Sequence, residues 1–105
     1  MLSPRERRKL QPHIRGMDVT RLAGAFDALS EPNRCTIFRT LLKKDKINVG
    51  DIAGLLKISE PLASQHLKTL LSAGIVVRTK KGRNVYYSVN QNDKLVKALE
   101  KVVEG

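Results

Sequence analysis

Apolar residues recur along this chain at two different periods, and the change of period divides it into elements. Val19, Leu22, Ala23, Phe26 and Leu29 follow one another at three- and four-residue spacing, which places them on one face of a helix. Asp18 stands where the N-cap of that helix belongs. Ser30-Glu31-Pro32 then reads as a break and a new start, with Ser30 as cap and Pro32 in the first turn, where proline is tolerated. Ile37, Phe38, Leu41 and Leu42 form the inner face of this second helix, which runs to about Lys44. Ile47 is a candidate for one short edge strand. Asn48, with Asp51 three residues on, caps a third helix carrying Ile52, Leu55 and Leu56 inward. Lys57-Ile58 makes a tight link. Ser59 caps a fourth helix whose inner face is Ala63, Leu67, Leu70 and Leu71, and Gly74 supplies its left-handed stop.

After Gly74 the period shortens to that of a strand. Ile75–Thr79 is rich in β-branched residues, Lys80-Lys81-Gly82-Arg83 is a glycine-containing turn, and Asn84–Val89 is the return strand. A last helix, capped by Asn90 or Asn92, carries Leu95, Val96, Leu99, Val102 and Val103 as its apolar stripe. The order predicts an α+β fold, predominantly helical. It is a winged helix-turn-helix of five helices with a β-hairpin wing, spanning residues 17–105.

Residues 1–16 stand apart. They hold Arg5, Arg7, Arg8, Lys9 and Arg15 against one acid, Glu6, together with Pro4, Pro12 and Gly16, and show no apolar period. The expectation is a flexible basic tail. It is either a solvated segment or an arm that reaches DNA phosphates or a minor groove.

The chain has 105 residues, one domain's length, and 41% hydrophobic residues, enough for a core. Aromatics make up only 4% and Trp is absent, so that core is aliphatic. A net charge of +10 asks for an anionic partner, nucleic acid before a membrane surface. Cys35 is the single cysteine, which excludes an intrachain disulfide and suits a reducing cytoplasm. No apolar run approaches the ~20 residues of a membrane span, and no signal peptide is evident. No nucleophile–base pair or glycine-rich phosphate loop suggests an enzyme.

On a helical wheel with Ala63 and Leu67 inward, Pro61, Ser64, Gln65 and Lys68 lie outward, with Leu62 and Thr69 at the edge. Gln pairs bidentately with adenine, Ser both donates and accepts, and an apolar group such as Leu62 meets a thymine methyl. Lys68 is placed to meet a phosphate. Glu60, the one acid nearby, either favours the helix N-terminus or accepts from a cytosine amine. His66 lies nearer the core edge, either as a phosphate anchor or as an internal hydrogen-bonding group. The wing offers Arg78, Lys80, Lys81 and Arg83, with no acid between Ile75 and Asn92, a pattern suited to phosphate contact.

These stretches resemble the ArsR/SmtB-type winged helix-turn-helix repressors. Ala28-Leu29-Ser30-Glu31-Pro32-Asn33-Arg34, Val49-Gly50-Asp51-Ile52-Ala53, Ser59 through Lys68, Ala73-Gly74-Ile75-Val76 and Gly82 through Tyr87 each match a family motif, in order. The resemblance covers roughly residues 17–104. It implies a homodimer formed through the first and last family helices, here with Val19, Leu22, Phe26, Leu95, Leu99 and Val102 at the interface. Many such proteins sense metals, but Asn48 and Gly50 occupy the positions of one cysteine pair, and no His follows Asn90. No metal site and no cofactor is therefore expected.

The expected function is sequence-specific binding of double-stranded DNA by a cytoplasmic homodimeric repressor at a palindromic operator. The alternatives are a winged-helix module for protein or RNA, or a non-specific architectural DNA-binding protein.

Overall fold

The computed structural model describes residues 1–15 and 19–104. The predicted cap Asp18 lies outside the described residues. Among them are six helices and three strands: α1 Pro4–Arg15, α2 Val19–Ser30, α3 Pro32–Lys43, β1 Ile47–Asn48, α4 Val49–Leu56, α5 Glu60–Ser72, β2 Val76–Lys81, β3 Asn84–Val89 and α6 Lys94–Glu104. The three strands form an antiparallel sheet in the order β1-β3-β2. The five expected helices and the wing are present, and α1 is an addition. Leu55 of α4, expected inward, is instead 63% exposed, the buried residues there being Ile52 and Ala53.

α1 forms where a tail without regular structure is expected. Its start is a reciprocal capping box: the Ser3 hydroxyl accepts from the Glu6 N–H at 3.1 Å, and the Ser3 N–H donates to the Glu6 carboxylate at 2.9 Å. Pro4 follows the cap, where its missing N–H costs nothing. Every side chain of α1 is exposed.

Two predicted caps move by one to three residues. The cap of α3 is Glu31, not Ser30, and its carboxylate accepts from the Arg34 N–H at 2.9 Å. Ser30 instead ends α2, its hydroxyl donating to the Asp27 carbonyl at 2.7 Å. At the start of α6 neither Asn90 nor Asn92 serves. Asp93 accepts from the Leu95 and Val96 N–H groups at 2.9 and 3.2 Å, the full job of an N-cap. The Asn90 amide is occupied elsewhere, donating to the Gly74 carbonyl at 3.0 Å.

The core is aliphatic apart from Phe38 and Tyr87. Ile37, Phe38, Ile52, Leu67, Leu70, Ile75 and Val96 are fully buried, and they join α3, α4, α5, the sheet and α6 into one cluster. α2 contributes only Ala25 and Ala28 fully to it, whereas Val19, Leu22 and Phe26 are 56, 40 and 55% exposed. On α6 the inward row is Val96, Leu99 and Val103. Leu99, expected at a dimer interface, is only 5% exposed and belongs to the chain's own core, whereas Val102 is 76% exposed. Leu95 is partly buried against the core.

Arg21 of α2 is tied to the start of α6. Its guanidinium makes a two-pronged contact with Asp93, Nη2 to Oδ2 at 2.7 Å and Nη1 to Oδ1 at 3.2 Å. This Arg21 contact, then the cap bonds from α6, hold the Asp93 carboxyl below its ordinary range.

Candidate nucleic-acid interface

The two-helix unit α4–α5 is built by its turn and caps. Asn48 caps α4 by accepting from the Asp51 N–H at 2.8 Å. α4 ends at Lys57, which adopts the left-handed conformation with φ 57°. The Ile58 N–H reaches the Ala53 carbonyl at 3.1 Å and the Lys57 N–H the Gly54 carbonyl at 3.3 Å. That is a Schellman motif with lysine in the usual glycine position. A left-handed non-glycine residue costs on the order of 1 kcal/mol, a cost the core contacts of Ile52 and Ala53 must offset. The turn delivers Ser59, whose hydroxyl accepts from the Leu62 N–H at 3.2 Å and starts α5.

α5 buries Ala63, Leu67 and Leu70. The opposite face follows from the helical period: Pro61, Ser64, Gln65 and Lys68 line one shallow open groove. Leu62 is 37% exposed at its margin. The Glu60 carboxylate does not join this groove. One of its oxygens lies 3.0 Å from where a Cβ on Gly50 would stand, so it is turned back over the first turn of α4, where the helix dipole favours an anion. The exposed face of α5 therefore presents donors, acceptors and one cation without an acid.

His66 is placed apart from that face. Its side chain is 12% exposed, with Nδ1 3.8 Å from the Glu31 carboxylate and 3.5 Å from Arg34 Nη1. Arg34 in turn donates from Nε to the Ala28 carbonyl at 2.6 Å. His66 thus pins α5 to the α2–α3 junction, and of its two sequence readings the internal one matches this geometry. The Arg34 N–H is the main reason the Glu31 carboxyl sits below its ordinary range; the Asn33 N–H and the neighbouring His66 and Arg34 add to it.

α5 ends in a second Schellman motif. The Gly74 N–H bonds the Leu71 carbonyl and the Ile75 N–H the Leu70 carbonyl, both at 3.0 Å, with Gly74 at φ 73°. This turn leads directly into the wing. Register pairs Val76 with Val89, Arg78 with Tyr87, Lys80 with Val85 and Lys81 with Asn84. The strands run further than the sequence suggests, and the loop shrinks to Gly82-Arg83. Gly82 has φ 61° and Arg83 no positive φ, the combination a type II′ turn needs. Alternation puts Arg78 and Lys80 on the face that buries Val76, Tyr87 and Val89, and Lys81 on the other. The four wing cations are all exposed, but they clasp the hairpin from both sides instead of forming one row.

Among the described residues no group of three or more His, Cys, Asp or Glu is placed to hold a metal ion. Cys35 lies half-buried on α3 as a free thiol. Among the same residues no helix is long and apolar enough to cross a membrane.

The family description "Bacterial regulatory protein, arsR family" matches residues 31–77, which hold α3 through the first strand residues of the wing. The chain is 33% identical over 87 residues to the cadmium resistance transcriptional regulatory protein CadC of Listeria innocua, covering 83% of this chain and 72% of that one. The chain belongs to the ArsR family. A homologue of the transcriptional repressor SmtB from Synechocystis sp. is 35% identical over 86 residues, with 81% of this chain spanning 64% of that protein. Among solved structures, the homodimeric winged helix-turn-helix DNA-binding domain Mb0332 of Mycobacterium bovis superposes with a TM-score of 0.72 at 26% identity. It covers 82% of this chain and 77% of that one. Family and fold are those of DNA-binding transcriptional regulators, and this ArsR-family chain is one of them.

Proposed function

We propose that this ArsR-family chain is a homodimeric repressor that reads a palindromic operator in double-stranded DNA. The carrying observation is the groove of Pro61, Ser64, Gln65 and Lys68 on α5, an acid-free polar face on the second helix of a helix-turn-helix. In this reading α5 enters the major groove. Gln65 and Ser64 address base edges, Leu62 a thymine methyl, and Lys68 a phosphate. Arg78, Lys80, Lys81 and Arg83 hold backbone phosphates on either side of the wing.

The dimer face in this reading is the row Val19, Leu22 and Phe26 of α2, joined by Val102 and the exposed part of Leu95. Three large apolar residues at positions i, i+3 and i+7, each at least 40% exposed, form a patch that a solvated monomer gains nothing by displaying. The homodimeric Mycobacterium bovis domain supports this assembly. Two-fold symmetry then spaces two α5 helices about one DNA turn (~34 Å) apart, and a dimer seated on a promoter excludes polymerase. The protein acts in the cytoplasm without catalysis, and residues 17–105 carry both binding and dimerisation.

Selection of bound sequences from a pool of random duplexes tests the reading. A palindrome with half-sites one turn apart is expected. Uniform recovery of the pool would reduce the protein to an architectural one.

A further inference from the structure

α1 is not accounted for by the operator-reading face, the wing or the dimer row. It is a capped 12-residue helix whose side chains are all exposed. At ~100° per residue, Arg7, Arg15, Arg8, Arg5 and Lys9 succeed one another around somewhat more than half its circumference. Pro4, Arg7, Arg8, Gln11 and Arg15 line one shallow groove along it. The remaining arc carries His13, Glu6, Leu10 and Ile14. Glu6, the only acid, is held back at the N-terminus by Ser3, so the basic face is uninterrupted.

We propose that α1 is a second DNA-binding element, one that lies along the phosphate backbone and contributes affinity without sequence preference. This rests on the DNA-binding reading above and adds to it a surface outside the helix-turn-helix and wing. Charge complementarity selects the partner. A helix of 12 residues is ~18 Å long, and one strand of a duplex offers a phosphate charge per ~3.4 Å of axis, about five over that length, comparable in number to the cations of α1. Guanidinium groups suit this role because they fork onto phosphate oxygens. A lipid surface fits less well. Interfacial binding needs buried apolar area as well as attraction to anionic lipids, and the apolar arc has only Leu10 and Ile14, with Arg7 beside them.

The test compares the full chain with the variant Arg5→Gln/Arg8→Gln/Lys9→Gln/Arg15→Gln by fluorescence anisotropy on random and preferred duplexes, between about 50 and about 200 mM NaCl. Glutamine is a good helix former, so circular dichroism should report an unchanged fold. The expected result is a weaker affinity for both duplexes by the same factor. The slope of log K against log salt should be shallower by about 0.9 per lost contact, up to roughly 3.6 per protomer. The matching variant with lysine at positions 5, 8 and 15 should keep the slope. An unchanged slope in the glutamine variant, while the full chain binds DNA, overturns the inference alone. Salt-insensitive loss of the preferred duplex only would assign α1 to base reading and overturn it too. Cosedimentation with phosphatidylserine vesicles that is lost in the variant, at unchanged DNA slope, would assign the helix to membranes instead. A full chain with no affinity for any duplex overturns the underlying DNA-binding reading as well.

Discussion

Phe26→Asp is the perturbation that bears most directly on assembly. Phe26 sits mid-row on α2 and is 55% exposed. A phenylalanine offers ~200 Å², so 55% of it leaves ~110 Å² on the surface. At ~25 cal/mol/Å², covering it yields ~2.8 kcal/mol per copy, and two copies meet in a symmetric dimer. Losing ~5 kcal/mol raises the dissociation constant by a factor on the order of 10⁴, and the two buried carboxylates add repulsion. Sedimentation velocity at micromolar concentration should then show a species of 11.7 kDa, where the unaltered chain sediments at twice that mass. Thermal melting should fall only by the mass-action stabilisation the dimer supplied and lose its dependence on protein concentration, because Phe26 is outside the monomer core. An unchanged dimer mass would refute the placement of α2 at the interface. Collapse of the fold would refute the claim that the row is free in the monomer.

Three further outcomes follow from the same geometry. Leu99→Ala should lower stability by about 2–5 kcal/mol in urea titrations, because Leu99 is a core residue; a change under about 1 kcal/mol would return it to the surface. Asp93 and Glu31 have folded pKa values below their ordinary ones, the first through Arg21 and the second through the Arg34 N–H. Both carboxylates therefore stabilise the fold fully above the ordinary carboxylate range. That contribution fades as pH falls from the ordinary value through the depressed one. The urea midpoint should drop as pH falls through and below the ordinary carboxylate range, and Asp93→Asn should flatten the drop; an equally steep profile in that variant would exclude Asp93 as a source. Lys81→Ala/Arg83→Ala should weaken binding to all duplexes alike and reduce the salt slope by about 0.9 per contact, and a selective loss at one operator would mean the wing reads bases.

The helix-turn-helix and wing were legible because their signals are local. Ser59, Asn48 and Gly74 do in the structure what their positions announce, and the shift from period 3.6 to period 2 after Gly74 marks the wing. Where several candidates for one cap lie side by side, spacing did not choose. The Ser30 hydroxyl is taken up by the Asp27 carbonyl, leaving the Arg34 N–H to Glu31, and the Asn90 amide is taken up by Gly74 while Arg21 holds Asp93 at the start of α6. α1 was missed because two prolines and scattered cations mask the helical period. The Ser3-Pro4-Arg5-Glu6 box was its one sequence sign. The stripe of α6 was visible, but a stripe does not say which half faces the chain's own core. Leu99 and Val102 differ by three residues and lie on opposite sides of that division. His66 turns on contacts with Glu31 and Arg34, more than thirty residues away, which no helical wheel contains.

The central claim is that the exposed face of α5 reads bases. Site selection from random duplexes with Gln65→Ala, run beside the unaltered chain, measures it most directly. The expected result is loss of preference at one position in each half-site, symmetric about the dyad, with the remaining consensus intact and a cost of about 1–3 kcal/mol at the original operator. An identical consensus at unchanged affinity would contradict the placement of this face in the major groove.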